Sequence, residues 1–447
     1  MFHSRNPIYR NPTGAVQAHT NIHFKLLVPR EFRCSAARLM IGEEFTKQVK
    51  TLGLFWCGMN GEDHEWWECD FTPEQSGLYF YRFEIDTWRG TLGITSRFGG
   101  ESGIDEYGAP EGECWQLTVF ESQYQTPDWL SGGIMYQIFP DRFYRSGTTK
   151  YNVPQDRYLH QRWGSQPEWR PNHQGEITNS DYFGGDLEGI IQKLDYLQSL
   201  GITCIYLNPI FEAHSNHRYD TADYTKVDPL LGSKEDFKRL CKEANKRGMH
   251  IMLDGVFNHT GSDSIYFNRK GRYQTLGAYQ SQESPYYDWY QFYQWPEQYA
   301  CWWNFETLPN VNETNETYNA YINGTDGVIQ TWLKAGADGW RLDVADELPD
   351  LFLDDITKAA KQVKPTSMIL GEVWEDASNK MAYGQRRRYL LGKQLDSVMN
   401  YPFREAIIGF LTGKNPAEMM ELIMTVLEHY PPSAIHLLMN HIGTHDT

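Results

Sequence analysis

One alternation dominates the sequence from about residue 126 to the last residue. Short apolar runs that suit buried strands alternate with segments of helical periodicity, and a loop follows each run. The runs end at Ile138, Asn208, Phe257, Asp343, Glu372, Tyr401 and Met439. Alternating strands and helices over about 320 residues predict a (β/α)8 TIM-type barrel. Because seven strands are visible, the last strand and helix are expected beyond Thr447.

Five segments between these runs carry the apolar spacing of amphipathic helices. They are 186–200, 234–247, 327–337, 351–363 and 418–429. The connection from 258 to 326 breaks this rhythm and is crowded with aromatic residues. A connection of that length inside a compact domain predicts an inserted subdomain.

The first 125 residues have a different pattern. Apolar and polar residues alternate over short stretches, as at 22–28 and 77–85, and Gly, Asn and Asp separate the stretches. This pattern predicts an N-terminal antiparallel β-sandwich over 1–125, followed by a linker at 126–129 and a catalytic barrel over 126–447.

The charge and the cysteine content of the chain argue against several kinds of partner and site. The 447 residues carry a formal net charge of −17 at pH 7, which argues against nucleic acid and anionic membranes as partners. The seven cysteines are scattered and include no CxxC pair, which predicts reduced thiols rather than disulfides or a zinc site. The sequence shows neither a signal peptide nor a membrane span, so we expect a cytoplasmic protein.

Two predicted strands end in a carboxylic acid, and a third acid, Asp446, lies near the end of the chain. Asp343 and Glu372 close consecutive strands, whose carboxyl ends face a common mouth in a parallel barrel. Retaining glycoside cleavage uses two carboxyl groups roughly 5 to 5.5 Å apart, one as nucleophile and one as acid/base. Arg341 shares a strand face with Asp343 and should keep it ionised. A dry pocket should raise the pKa of Glu372.

Four segments together resemble the α-amylase family of glycoside hydrolases, whose ordered sequence regions they match. They read DGVFNH at 254–259, GWRLDVADE at 339–347, GEVW at 371–374 and HDT at 445–447. The segment SNHRYDTADY at 215–224, with the leading sandwich domain, is similar to the neopullulanase, cyclomaltodextrinase and amylopullulanase branch. The resemblance covers the chain from about residue 133 to its end, and it implies a carbohydrate-binding-like role for the sandwich domain.

The resemblance implies a role for each matching residue. Asp343 would be the nucleophile, Glu372 the acid/base, and Asp446 the group that holds two sugar hydroxyls and stabilises the transition state. Asp254 would pair with Arg341 and be structural. The residues implied to bind substrate are His217, Tyr219, His259, Arg341, Trp374 and His445, with Tyr219 stacking on the ring and Trp374 meeting the next sugar.

The sequence therefore predicts a retaining hydrolase of α-1,4 glucosidic bonds, with α-1,6 bonds left open, in maltooligosaccharides, cyclodextrins, pullulan or starch. Two alternatives stay open: a transglycosylase on the same site, and a non-catalytic fragment that binds glucan.

One residue departs from the pattern of this branch, because Asp346 stands where the branch usually has Asn.

The loop after Asp141 lacks the Asn and Asp residues that bind calcium in many family members. No metal site and no cofactor is therefore predicted, and calcium has no clear ligand motif. Relatives with such a leading domain often dimerise through it, so the resemblance allows a homodimer.

Overall fold

The computed structural model describes residues 1–106, 113–175 and 177–447. The chain forms two compact units. The first contains Met1–Gln125 and Trp374–Ile442, and the second contains Thr126–Val373 and Gly443–Thr447. Residues 374–442, which the sequence assigns to the barrel, thus group with the N-terminal residues. The predicted division into domains, with its insertion at 258–326, stays a prediction.

The N-terminal part of the first unit is built from strands. Its described residues form β1 (Arg10–Asn11), β2 (Val16–Gln17), β3 (Ile22–Pro29), β4 (Ala36–Glu43), β5 (Val49–Asn60), β6 (His64–Phe71), β7 (Gly77–Thr87), β8 (Gly90–Ser96), β9 (Ser102–Glu106) and β10 (Trp115–Phe120). The hydrogen-bonded path runs β1-β3-β6-β5-β4-β7-β10-β2, and β8 joins β7 to β9. All pairs are antiparallel except β10 with β2.

The alternating sequence explains these strands. In β3, Ile22, Phe24, Leu26 and Val28 are fully buried while the residues between them are partly exposed. Successive side chains of a strand point to opposite sides, so this spacing places one apolar face on the core. The strands predicted at 22–28 and 77–85 correspond to β3 and β7. The packing of the strands as two separate sheets stays a prediction.

The second unit contains most of the predicted barrel elements. Its strands are β11 (Met135–Ile138), β12 (Tyr158–Leu159), β13 (Asp181–Tyr182), β14 (Cys204–Leu207), β15 (Phe211–Ala213), β16 (Thr221–Val227), β17 (His250–Gly255), β18 (Phe292–Gln294), β19 (Gln298–Tyr299), β20 (Gly339–Leu342) and β21 (Met368–Gly371). Its helices are α1 (Leu187–Gln192), α2 (Leu194–Ser199), α3 (Lys234–Asn245), α4 (Glu316–Asn323), α5 (Val328–Ala335) and α6 (Asp350–Val363).

Five of these strands form a parallel array in chain order, β11-β14-β17-β20-β21. The strand β11 ends at the predicted residue, and the other four end one or two residues earlier than the apolar runs. Helices occupy the connections between them, as the alternation predicts. The parallel register aligns the carboxyl ends of β20 and β21, which precede Asp343 and Glu372.

The helix α3 illustrates how the sequence specifies these elements. Ser233 caps its first turn by accepting from the backbone of Asp236, whose carboxylate accepts from the Ser233 backbone in return. Its apolar residues at 237, 240, 241 and 244 are buried along one face. The helix predicted at 186–200 is instead two short helices, because the backbone at Lys193 leaves the helical conformation.

The inserted segment has an aromatic core. Tyr266, Tyr286, Tyr318 and Tyr321 surround Trp289, with ring centroids between 4.8 and 5.3 Å from it. Tyr266, Trp289 and Tyr318 are buried, so these aromatic residues pack the interior of the segment. The helix α4, which no sequence pattern predicted, contributes two of them.

The remaining part of the first unit contains β22 (Met381–Ala382), β23 (Gln385–Arg386), β24 (Ser397–Val398), α7 (Tyr401–Leu411), α8 (Pro416–His429) and α9 (Pro432–Ile435). The strand expected to end at Tyr401 was wrongly placed, because Tyr401 begins α7, which Asn400 caps. The run ending at Met439 forms only a parallel bridge with Met399. No helix in the described part of the chain is long and apolar enough to cross a membrane.

Candidate active site

Asp343 and Glu372 extend two neighbouring parallel strands by one residue each. The backbone N–H of Asp343 donates to the carbonyl of Gly255, and that of Glu372 donates to the carbonyl of Leu342, both at 3.1 Å. These bonds continue the ladders of β17 with β20 and of β20 with β21. Two carboxyl side chains therefore leave the same edge of the array, as the positions of the apolar runs predicted.

Arg341 contacts both of these carboxyl groups. Its Nη1 lies 2.8 Å from Asp343 Oδ1 and 2.9 Å from Asp254 Oδ1, and its Nη2 lies 2.9 Å from Glu372 Oε2. The Arg341 side chain is fully buried, and Asp343 and Glu372 are almost so. One guanidinium group therefore neutralises part of the charge of three carboxyl groups that have little access to water.

Burial and the neighbouring charges together affect the protonation of Asp343. Burial raises the pKa of Asp343 well above its ordinary value; Arg341 opposes this increase, and Glu372 adds to it. Arg341 lowers the pKa of Asp343, as its position on the strand predicted, but burial and the neighbouring carboxyl groups outweigh it, so the expectation that Arg341 alone keeps Asp343 ionised does not hold. The Asp343–Glu372 pair is expected to share a proton, which belongs to the pair rather than to either residue.

Asp254 has two tyrosine partners besides Arg341. The hydroxyl groups of Tyr206 and Tyr219 donate to its Oδ2 at 2.5 and 2.8 Å. Asn208 also donates to the Tyr219 hydroxyl at 2.9 Å. Asp254 thus connects Arg341 to the ring of Tyr219, which agrees with the structural role expected for it.

Two of the predicted histidines lie beside Tyr219. The backbone N–H of Tyr219 donates to His217 Nδ1 at 3.1 Å, and His259 Nε2 donates to the Tyr219 carbonyl at 3.1 Å. Burial lowers the pKa of His259 to about 4 and lowers that of His217 as well. Both rings are therefore neutral at pH 7, and a neutral imidazole offers one donor and one acceptor nitrogen.

His445 reaches the same tyrosine from the last segment of the chain. Its Nε2 lies 2.6 Å from the Tyr219 hydroxyl, and the two rings stack with a 6° angle between their planes. Its Nδ1 lies 2.7 Å from Gln137 Nε2 at the end of β11. Asp446 is more open, with 34% of its side chain exposed, and burial still raises its pKa. Its Oδ1 lies 3.4 Å from His445 Nε2.

The second unit thus brings together eight of the nine predicted site residues. The ninth, Trp374, belongs to the first unit, where its ring stacks on Tyr401 at 4.1 Å. Its contact with a second sugar stays a prediction, as do the roles of the other eight. The sequence reasoning missed Tyr206 and Asn208, although both lie at the end of an apolar run, where a polar residue is a signal for the barrel mouth.

The described residues include no group of three or more His, Cys, Asp or Glu side chains placed to hold a metal ion. In the loop after Asp141, the ammonium group of Lys150 lies 2.8 Å from Asp186 Oδ2, and the hydroxyl of Ser146 donates to the same oxygen. A protein cation from this loop therefore contacts the buried carboxylate of Asp186, which caps α1.

The alpha amylase catalytic domain family matches residues 137–444. An amylopullulanase from Thermoanaerobacterium saccharolyticum is 36% identical over 99% of this chain and 37% of its own length. A cyclomaltodextrinase from Geobacillus thermopakistaniensis is 37% identical over 87% of this chain and 65% of its own length. The chain spans between 26% and 37% of the length of the three amylopullulanases it matches.

The chain is also similar to solved structures. A cyclomaltodextrinase structure has a TM-score of 0.62 and 26% identity, and the match covers 98% of this chain and 71% of that one. The type III pullulan hydrolase from Thermococcus kodakarensis has a TM-score of 0.61 and 26% identity over the whole of this chain and 73% of its own.

Proposed function

This chain belongs to the α-amylase family of glycoside hydrolases, whose catalytic domain is a TIM barrel, and we propose that it hydrolyses α-1,4 glucosidic bonds with retention of configuration. The substrates are maltooligosaccharides and related glucans such as pullulan or cyclodextrins. The relatives' names, amylopullulanase and cyclomaltodextrinase, support this substrate class.

One observation carries the proposal: Asp343 and Glu372 contact the same buried guanidinium group through different nitrogens. A shared partner keeps the two carboxyl groups close, as the retaining mechanism requires. Burial also raises the pKa of Asp343, so the pair is expected to hold one proton between its two members. A nucleophile and a proton donor are therefore available together.

The two steps follow from this arrangement. Asp343 attacks the anomeric carbon while Glu372 gives its proton to the glycosidic oxygen, so the old C–O bond breaks as the bond to Asp343 forms. Glu372, now ionised, then takes a proton from a water molecule whose oxygen attacks the same carbon and releases Asp343. Each step inverts the anomeric carbon, and the product keeps the α configuration.

The neighbouring residues would bind the same glucose unit. His259 and His445 are neutral hydrogen-bonding groups, and Asp446 is an open carboxylate that can accept from sugar hydroxyls. The ring of Tyr219, held in place by its bond to Asp254, offers a flat face to the sugar.

The test uses Asp343→Asn and Glu372→Gln in this chain, with maltoheptaose as substrate. Both variants should lose at least about a thousandfold in kcat. Proton NMR of the first product made by the parent should show the α-anomer before mutarotation. A β-anomer at early times, or variants that keep the parent's turnover, would refute the proposal. Products longer than the substrate would instead indicate transglycosylation on the same site.

A further inference from the structure

Val344, which directly follows Asp343, has an unusual backbone conformation. Its φ is 40° and its ψ is 57°, which is the left-handed helical region. Residues branched at Cβ are genuine outliers there, because the branched side chain crowds the backbone. A conformation this unfavourable persists only where the surrounding structure holds it, and such residues concentrate at functional sites.

The turn at Val344 wraps the end of β20 around Glu372. The backbone N–H of Val344 donates to Glu372 Oε2 at 2.8 Å, and the N–H of Ala345 donates to the Glu372 carbonyl at 3.3 Å. The N–H of Glu372 donates to Leu342 at 3.1 Å. A residue with an extended backbone at position 344 would continue the strand, and its N–H would point away from this carboxyl group.

We propose that Val344 is a positioning residue, whose strained turn aims its backbone N–H at Oε2 of Glu372 and thereby assigns the acidic proton to Oε1. The Val344 N–H donates to Oε2 at 2.8 Å, and Nη2 of Arg341 pairs with the same oxygen as a charge at 2.9 Å. A donated hydrogen bond and a nearby cation both favour the unprotonated form of that oxygen, so the proton is favoured on Oε1.

This inference rests on the proposed function, in which Glu372 is the acid/base. In the first step the Oε1–H bond breaks, and its proton goes to the glycosidic oxygen. In the second step the same oxygen takes a proton from the attacking water. Oε2 keeps its contacts with the Val344 N–H and with Arg341 throughout, so the turn fixes the direction from which the proton moves.

Four charged or titratable groups interact with Glu372. Arg341 and Asp343 face it from β20, and His445 and Asp446 interact with it electrostatically from the last segment of the chain. A change at the backbone of Val344 alters none of them. The effect of its N–H can therefore be measured alone.

The experiment replaces the amide N–H of Val344 with an ester oxygen, using the α-hydroxy analogue of valine and nonsense suppression in the full chain. This change removes the donor and keeps every side chain. The alkaline limb of the pH profile of kcat/KM on maltoheptaose should move up by roughly 0.5 to 1 unit, because a hydrogen bond that favours ionised Glu372 is lost. The value of kcat/KM at the optimum should fall about three- to tenfold.

Two further variants serve as controls for the Val344 ester. The same ester at Val311, whose N–H donates to the carbonyl of Asn258 at 3.1 Å, removes a similar backbone bond and should leave the alkaline limb in place. The variant Val344→Gly keeps the N–H and relieves the strain, so it should melt at a higher temperature with the alkaline limb unchanged.

An active parent in which the Val344 ester leaves the alkaline limb unmoved would overturn the inference and leave the proposed function standing. The same holds if the Val311 ester moves the limb equally. A parent that hydrolyses no α-glucan, or keeps its activity in Glu372→Gln, would overturn both.

Discussion

Replacing Arg341 with methionine removes a cation that contacts Asp254, Asp343 and Glu372. Methionine has a similar length and no charge, so the change leaves three buried carboxyl groups facing one another. The three contacts measure 2.8 to 2.9 Å, and the Arg341 side chain is fully buried. Burial lowers the pKa of Arg341, but Asp254 and the other negative neighbours outweigh it and leave the pKa well above its ordinary value.

The magnitude follows from these contacts. Removing one partner of a buried ion pair typically costs about 3 to 5 kcal/mol, because the other charge stays buried without compensation. In a domain of roughly 250 residues each kcal/mol lowers the melting temperature by about 2 to 4 °C. The expected loss is therefore about 6 to 20 °C at pH 7, out of a total stability of roughly 5 to 15 kcal/mol.

The stability that Arg341→Met loses should depend on pH. Burial already raises the pKa of Asp343 while Arg341 lowers it, so without the cation this pKa should rise further above its unfolded value. The folded variant then holds protons that the unfolded chain releases, so its stability increases as the pH falls from 7 to 5. The difference in melting temperature between parent and variant should therefore be smaller at pH 5 than at pH 7.

The assay is a thermal melt of both proteins at each pH, followed by circular dichroism. Arg239→Met is the matched control, because Arg239 contacts Glu188 and Asp236 with 47% of its side chain exposed. Exposed pairs contribute less than about 1 kcal/mol, so the control should melt close to the parent. If Arg341→Met melts no lower than the control at pH 7, or if its deficit does not shrink at pH 5, the charge argument fails.

Three further outcomes are expected. Burial raises the pKa of Glu313 to about 8, so the folded chain keeps a proton that the unfolded chain releases above about pH 4.5, and stability falls as the pH rises through this window. Glu313→Gln should remove that slope in melts at pH 5 and pH 8. Tyr219→Phe removes a donor to Asp254 and should cost about 1 to 3 kcal/mol in urea unfolding while the ring stays in place. Ser233→Ala should cost about 1 kcal/mol through its lost helix cap and leave kcat unchanged.

The sequence by itself determined many of the strands and helices and the candidate residues of the site. The alternation at 22–28 specifies a strand because successive side chains point to opposite faces. Ser233 and the apolar spacing after it specify α3 for a similarly local reason. Asp343 and Glu372 could be predicted as neighbours because each follows an apolar run, and the carboxyl ends of parallel strands meet at one edge. The match to the α-amylase family confirms the family that the sequence segments around these residues resemble.

Local sequence patterns did not predict those features of the fold that leave the apolar spacing unchanged. The break at Lys193, the start of α7 at Tyr401 and the existence of α4 all left that spacing almost unchanged. The left-handed backbone at Val344 also leaves no signal in its own residue type, because valine disfavours it. Only the contacts of the folded chain stabilise such a conformation.

The electrostatics of the site were decided by tertiary structure alone. Arg341 and Asp254 are 87 positions apart in the chain, yet they share a buried ion pair. Arg341 was predicted to ionise Asp343 because the sequence shows those two residues side by side. The fold adds Asp254 and Glu372 to the same cation and removes water from all of them, which raises the pKa of Asp343 instead. A pKa depends on every charge and on the solvent within several ångströms, and that neighbourhood exists only once distant segments have packed together.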